Sequence, residues 1–142
     1  MRFMILVKAN ADSEAGVMPT YEELAEMGKF NEELVKAGIL LAGEGLHPSS
    51  KGYRVQFSGS DRSVVDGPFT ETKELLAGFW LIQVKSPEEA VEWVKRIPFR
   101  EGEVEIRRVF DTEDFAPADP TGELREAENR LREQVEARAA RG

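Results

Sequence analysis

Two amphipathic helices, each placed between apolar strands, are the feature that most limits how this chain can fold. Residues 20–23 and 86–89 are both capping-box sequences, in which a serine or threonine and a later glutamate satisfy the first free N–H groups of a helix. Apolar residues recur at helical spacing after each of them. Gly38 ends the first predicted helix and Pro98 ends the second.

Short stretches rich in apolar and β-branched residues predict the strands. They cover residues 2–9, 39–46, 53–57, 63–65, 78–84 and 103–110. Residues 10–19 predict a polar loop, and residues 68–74 a single helical turn. The order β-α-β-β-β-α-β, with one extra short strand, predicts an α+β protein with an antiparallel sheet of the ferredoxin-like type.

The predicted sheet is apolar on both faces, which indicates a partner. Phe3 and Ile5 alternate with Met4 and Leu6 in the first strand, and the strand 78–84 shows the same double pattern. Two helices cover only one face of such a sheet, so the other face needs a cover of its own. We therefore expect a homodimer in which a second subunit supplies that cover.

The composition changes after Phe110, so residues 1–110 are predicted to form the domain. Residues 111–122 are rich in proline and acidic groups and predict a linker. Residues 123–142 predict an amphipathic helix or tail, because apolar residues recur there at helical spacing. Three fates of this extension stay open: docking on the domain, contact with the partner subunit, or fraying in solvent.

The charge and the residue inventory exclude several classes of function. The 142-residue chain carries a net charge of −8, which argues against nucleic acid and anionic membranes as partners. It has no cysteine and one histidine, so we expect neither thiolate chemistry nor a metal site, and no cofactor motif is visible. The apolar start of the chain is too short to be a signal peptide or a membrane span, which predicts a cytoplasmic protein.

The segment 66–74 is the strongest candidate for a functional site. Gly67 tolerates unusual backbone angles and Pro68 locks φ, so the segment predicts a fixed turn. Asp66, Glu71 and Lys73 would be held beside the apolar strand that follows, as the wall of a pocket. Asp66 is a candidate general acid or base. The alternative is an Asx-turn, in which its carboxylate accepts an N–H from residue 69 or 70.

Three further residues are candidates for the same pocket. His47 would shuttle a proton, as histidine side chains often do, or it simply faces solvent before Pro48. Glu44 lies in an apolar strand, where an acidic group needs a partner or a wet cavity. Alternation places Glu44 and His47 on opposite faces unless a bulge at Gly45 intervenes. Arg107 in the last strand would bind an anion, although an ion pair with a nearby glutamate is the favoured interpretation.

The segment Asp66-Gly67-Pro68-Phe69-Thr70-Glu71-Thr72-Lys73-Glu74, followed by Gly78-Phe79, resembles the signature of the YCII-related family in its DGPF-motif branch. The stretches 42–48, 89–93 and 104–107 resemble the same branch. The resemblance covers about residues 1–110 and implies a dimeric α+β barrel with a cleft between sheet and helices. Some family members are thought to be small enzymes with a His–Asp pair, whereas branch members often lie beside sigma factors in genomes. This chain departs from the pattern because its first helix has no histidine.

Two functions are therefore expected. In the first, the protein binds a small ligand near the DGPF motif in a non-catalytic or regulatory, sigma-factor-associated role, with Phe69, Glu71, Lys73 and Arg107 as ligand-binding residues. In the second, it is a cofactor-independent acid–base enzyme of the isomerase or dehydrochlorinase kind. Asp66 would then be the acid or base, assisted by His47 and Glu44.

Overall fold

The computed structural model of the chain describes residues 1–141, except for the side chain of Lys73. Two compact units divide the chain after Arg108. The strands are β1 (Arg2–Lys8), β2 (Leu40–Gly45), β3 (Tyr53–Ser58), β4 (Asp61–Asp66), β5 (Leu76–Gln83) and β6 (Val104–Arg108). The helices are α1 (Ala11–Glu14), α2 (Tyr21–Lys36), α3 (Pro87–Val94) and α4 (Glu123–Arg141). Single 3-10 turns cover Ser49–Lys51 and Thr72–Glu74, and a longer 3-10 helix covers Thr112–Ala118.

The central sheet of the first unit has four strands in the order β2-β5-β1-β6, and every neighbouring pair is antiparallel. This arrangement confirms the predicted α+β, ferredoxin-like fold, and α4 confirms the helical C-terminal extension. The strands β3 and β4 do not join the central sheet. They pair only with each other and form a separate two-stranded ribbon.

Both predicted capping boxes begin helices, although only the first is complete. The Thr20 side chain accepts the N–H of Glu23 at 3.1 Å, and the Glu23 carboxylate accepts the N–H of Thr20 at 3.4 Å. At α3, the Ser86 hydroxyl accepts the Glu89 N–H at 3.1 Å. The Glu89 carboxylate instead accepts the N–H of Lys85 at 2.9 Å. The helix starts that the sequence predicted are therefore fixed by local hydrogen bonds.

The hydrophobic core lies between the helices and one face of the central sheet. Ile5 pairs with Trp80 in the sheet, and Phe30 from α2 meets the Trp80 ring edge-on at 5.6 Å. The indole N–H of Trp80 donates to the Asn31 side chain at 2.9 Å, so the ring is oriented as well as buried. Gly43 passes directly beneath that ring, because a Cβ there would come within 2.9 Å of it.

The other face of the sheet carries the residues that alternate with the buried ones, and these residues are apolar too. Met4 pairs with Leu81, and Leu6 pairs with Phe79. These four side chains are half-buried, and we call this surface the outer sheet face. Glu44 lies on it too, since it pairs with Phe79 from the neighbouring strand.

Two segments that were predicted to be irregular contain helical turns. Asn10 caps α1 within the predicted loop 10–19, because its side chain accepts the N–H of Ser13 at 2.8 Å. A 3-10 helix occupies residues 112–118 within the predicted linker, and the Asp114 carboxylate accepts the N–H of Asp111 at 2.7 Å. Asn, Asp and Ser side chains bond to nearby backbone groups, and this local bonding allows short helical segments without an apolar stripe.

In the second unit, a buried aspartate organises the start of α4. The carboxylate of Asp119 accepts the backbone N–H of Arg125 at 3.0 Å and that of Leu124 at 3.4 Å. The Arg125 side chain also donates to it at 3.3 Å and pairs with Glu113 at 2.7 Å. The Arg125 backbone N–H, aided by the Leu124 N–H and the Arg125 side chain, lowers the pKa of Asp119.

Candidate functional site

The first four residues of the DGPF segment, 66–69, form a loop that is hydrogen-bonded to a second loop. The Gly67 N–H donates to the carbonyl of Gly52 at 2.9 Å, and the Phe69 N–H donates to the Ser49 hydroxyl at 3.0 Å. The peptide between Gly67 and Pro68 is cis. Residues 66–69, which we call the DGPF loop, are therefore attached at two points to the turn around residue 49.

Ser49 connects the DGPF loop to α1. Its hydroxyl donates to the Glu14 carboxylate, and its backbone N–H donates to the same carboxylate at 2.9 Å. The hydroxyl thus accepts from Phe69 and donates to Glu14 at once, and all three residues are partly buried. We call this connection the Glu14–Ser49–Phe69 chain. A hydroxyl used as both donor and acceptor fixes the relative position of the segments it joins.

Close packing explains why glycine occupies position 67. A Cβ at Gly67 would lie 1.7 Å from the carbonyl oxygen of Ser49, so any side chain would push the two loops apart. The sequence-based explanation of this glycine was wrong, because its φ does not lie in the positive region that favours glycine. Gly67 is needed for the approach of two backbones and not for an unusual backbone angle.

The aromatic ring of the loop is covered by an arginine from the ribbon. The guanidinium of Arg54 lies 3.8 Å from the centre of the Phe69 ring, which is within cation–π range. Phe69 was predicted to bind a ligand, and this contact occupies one face of its ring. The ribbon and the DGPF loop are therefore joined by a side-chain contact as well as by the chain itself.

Asp66 stands at the edge of this assembly with its carboxylate exposed. Within the residues that the structure describes, this carboxylate makes no hydrogen bond and no ion pair. The Phe69 N–H, which an Asx-turn at Asp66 would use, is donated to Ser49 instead. The loop is therefore held without help from this carboxylate, and Asp66 lies opposite Tyr53 in the ribbon.

Glu44 and His47 lie on or beside the central sheet and are both exposed. Glu44 belongs to the outer sheet face, and His47 follows the end of β2. The irregularity of β2 lies between Leu40 and Ala42, so no bulge at Gly45 reorients the strand. No contact among the described residues joins Glu44 or His47 to Asp66.

The remaining candidates have separate surroundings. Arg107 pairs with Glu105 at 3.5 Å, which confirms the ion-pair interpretation, and Lys8 reaches the same carboxylate at 3.3 Å. Glu71 is exposed and precedes the 3-10 turn. The side chain of Lys73 lies outside the described residues.

A surface depression of about 220 Å³ lies in the first unit, and its lining residues come from the region 94–104. It includes none of the residues proposed for the site. Among the described residues, no group of three or more His, Asp or Glu side chains is placed to hold a metal ion. Nor is any helix of the described part long and apolar enough to cross a membrane.

Sequence reasoning identified the DGPF segment but missed the residues that hold it. Ser49 lies 20 positions before Phe69, and Glu14 lies 35 positions before Ser49. No periodicity or spacing rule connects contacts this far apart. The one local signal was the pair Asn10 and Ser13, which has the capping pattern of a helix start and would have placed Glu14 in a helical turn.

A family of known proteins matches most of this chain. The model of the YCII-related domain family matches residues 1–113. An uncharacterized protein of Rhizobium meliloti (strain 1021) is 33% identical over 72 residues, which cover 51% of this chain and 58% of that protein. The match thus spans little more than half of that relative's length. The solved structure of 5-chloro-2-hydroxyhydroquinone dehydrochlorinase (TftG) from Burkholderia phenoliruptrix AC1100, in complex with 2,5-dihydroxybenzoquinone, is 16% identical. Its TM-score is 0.41, and the superposition covers 78% of this chain and 94% of that chain.

Proposed function

This chain belongs to the YCII-related domain family, and on that premise we propose that it binds a small organic ligand at the DGPF loop in a non-catalytic or regulatory role. The observation that carries the proposal is the contrast between the loop and its carboxylate. The loop is fixed by the Glu14–Ser49–Phe69 chain and by the Gly67–Gly52 hydrogen bond. The Asp66 carboxylate takes part in neither the Glu14–Ser49–Phe69 chain nor the Gly67–Gly52 hydrogen bond.

A fixed loop with a free carboxylate suits ligand binding for an energetic reason. Ordering a mobile loop costs free energy when a ligand binds, and a loop that is already ordered avoids that cost. The exposed carboxylate accepts hydrogen bonds only, so it suits a ligand with hydroxyl or amine donors. Tyr53, which lies opposite Asp66, adds an exposed aromatic ring for an apolar part of the ligand.

The second candidate function is a cofactor-independent acid–base enzyme of the isomerase or dehydrochlorinase kind. The same free carboxylate favours it, because a group that accepts no structural hydrogen bond keeps its lone pairs for a substrate proton. Asp66 would take that proton as the base, and His47 or Glu44 would assist if a substrate bridged the distance between them. The two candidate functions use the same loop. They differ in whether the bound molecule is chemically converted.

The homodimer expected from the sequence belongs to the same proposal. Met4, Leu6, Phe79 and Leu81 make the outer sheet face apolar, and the helices α2 and α3 pack on the opposite face. A second copy of the chain would bury the rest of this surface. The mass of the protein in solution, measured by light scattering, should then be twice that of the chain.

Replacing Asp66 by Asn tests the site directly, with Asp61→Asn as the matched control. The two aspartates begin and end the same strand, and both are exposed. Calorimetric titration with a panel of small phenols and aromatic amines should find a compound whose affinity falls at least about tenfold in Asp66→Asn, since a hydrogen bond to a charged group is lost. Asp61→Asn should bind that compound unchanged.

The same variants separate the two functions. If a panel compound is converted, Asp66→Asn should lower the turnover by about 100-fold or more. The unfolding free energy should change by no more than about 1 kcal/mol, because the Asp66 carboxylate makes no hydrogen bond and no ion pair within the described residues. A destabilised Asp66→Asn protein with intact binding would show that the carboxylate serves the fold and not a ligand.

A further inference from the structure

The ribbon of β3 and β4 has two different faces. Residues directly opposite one another in an antiparallel pair point to the same side. One face therefore carries Tyr53, Val55, Phe57, Arg62, Val64 and Asp66, and the other carries Arg54, Gln56, Ser58, Asp61, Ser63 and Val65. We call the first set the ribbon front. It is mainly apolar, whereas the second set is mainly polar.

The ribbon front is unusually exposed for its composition. Tyr53 and Phe57 are each 71% exposed, Val64 is 65% exposed and Val55 is 49% exposed. An isolated two-stranded ribbon is only marginally stable in water, and contiguous apolar side chains of this kind typically mark an interaction surface. No element of the first unit packs on this face closely enough to bury a single one of its residues.

The charges on the ribbon front stand at its two ends. Arg62 lies near the hairpin turn and Asp66 lies at the opposite end of the same strand, about 13 Å away at 3.3 Å per residue. The Arg62 guanidinium is held over the Phe57 ring at 4.6 Å and donates to the carbonyls of Gly59 and Asp61. The front thus presents an apolar centre with a fixed positive end and a free negative end.

This pattern is complementary to itself, and we propose that a second copy of the chain pairs with the ribbon front through a two-fold axis perpendicular to the strands. That axis sets Arg62 of one copy against Asp66 of the other, and it does so twice. An axis parallel to the strands would set like charges against each other and is disfavoured. Val55 and Val64 then meet their own counterparts near the axis.

The pairing brings a residue of the partner into the proposed site. The guanidinium of Arg62 of the partner subunit stands beside Asp66, so the ligand site contains groups from both subunits. This consequence rests on the proposed function, but the pairing itself does not. We place this contact and the contact of the outer sheet face in the same dimer, so the expected mass stays twice that of the chain. The two surfaces share no residue, so their contributions can be separated by mutation.

Charge reversal and charge exchange test the pairing. We would measure the dimer dissociation constant of the full chain by analytical ultracentrifugation for four variants: Arg62→Asp, Asp66→Arg, the double variant and Asp61→Arg. Each single reversal replaces two attractions by two repulsions and should weaken the dimer by about 10- to 100-fold. The double variant exchanges the charges and should recover most of the wild-type affinity. Asp61→Arg reverses a charge on the other face of the ribbon and should leave the dimer constant unchanged.

Several results would overturn the inference. They are a wild-type monomer at micromolar concentration, dimers that survive both single reversals, a double variant no better than the single ones, or equal weakening by Asp61→Arg. Far-ultraviolet circular dichroism checks that each variant is folded, and Val64→Asp supplies an independent disruption near the axis if one reversal fails to fold. Dimers that survive every ribbon variant would point to the outer sheet face and would leave the proposed ligand site intact.

Discussion

The central sheet and the β3–β4 ribbon are both antiparallel and both alternate in side-chain direction, yet they differ completely in burial. In β1 and β5, alternate residues are buried beneath α2 and α3, as Ile5 and Ile82 show. In β3 and β4, every residue is exposed. The strands of the sheet are apolar on both faces, whereas the ribbon is apolar on one face only. The helices cover one face of the sheet, and the apolar face of the ribbon stays exposed.

The two regions are also held in place by different forces. The sheet is fixed by apolar side chains that exclude water from the space between sheet and helices. The ribbon is fixed at its base by polar contacts and by the stacking of Arg54 on Phe69. Apolar burial stabilises the first unit, whereas hydrogen bonds set the position of the loop that carries Asp66. Two pairs of substitutions test this division, starting with the largest expected effect, and a fifth substitution extends the test to the second unit.

Leu34→Ala should be among the most destabilising single changes in this protein. Leu34 is 1% exposed on α2, so its removal leaves a cavity in the core and should cost about 2–5 kcal/mol of unfolding free energy. Val35→Ala is the control, because the next residue on the same helix is 61% exposed and should cost less than about 1 kcal/mol. Denaturant titration of both variants gives the comparison. Equal losses would mean that the buried face of α2 does not carry the stability.

A single kind of substitution compares the two regions directly. Val84→Thr places a hydroxyl at a core position that is 5% exposed and should cost about 1–3 kcal/mol. Val64→Thr makes the same change on the ribbon front and should alter the unfolding free energy of the monomer by no more than about 0.5 kcal/mol. Dilution below the dimer constant isolates the monomer. A large loss from Val64→Thr at that dilution would show that the ribbon front is covered within one chain.

The second unit extends the comparison to another region that is held by polar contacts. The contribution of these contacts to stability depends on pH. Because the folded state lowers the pKa of Asp119, this carboxylate stabilises the fold fully above its unfolded pKa of about 3.9. That contribution is lost as the pH falls through the lower folded value. The amide resonances of Leu124 and Arg125 should therefore shift with a midpoint below about 3.9. Asp119→Asn should abolish the shift, and a midpoint at or above the ordinary aspartate value would contradict the lowered pKa.

Much of the fold could be predicted because its signals are local. The capping sequences at Thr20 and Ser86 place the helices, and the alternation around Ile5 and Trp80 places the strands of the sheet. The short α1 was missed because it has no apolar stripe and depends on a single Asn10 cap. The ribbon was recognised as strands but not as separate from the sheet, since alternation carries no information about the neighbouring strand.

The candidate site was predicted less completely, for a different reason. The DGPF segment was found through its composition, and the pairing of Arg107 with Glu105 through proximity in one strand. The contacts of Ser49 with Glu14 and Phe69 were not found, because they join residues that are distant in the sequence. A hydrogen bond between such residues depends on where three segments meet in space.

By itself, the amino-acid sequence determined the order of helices and strands, the ferredoxin-like arrangement and the position of the loop that matters. These features depend on side-chain periodicity and on caps, which act over a few residues. Only the tertiary structure decided that Gly67 must be glycine, because the reason is the carbonyl of Ser49 at a distance that no side chain would permit. It also decided that the Asp66 carboxylate accepts no hydrogen bond from Phe69, since the Phe69 N–H donates to Ser49 in another loop. Contacts between distant segments are set by the packing of the whole unit, and no local pattern specifies them.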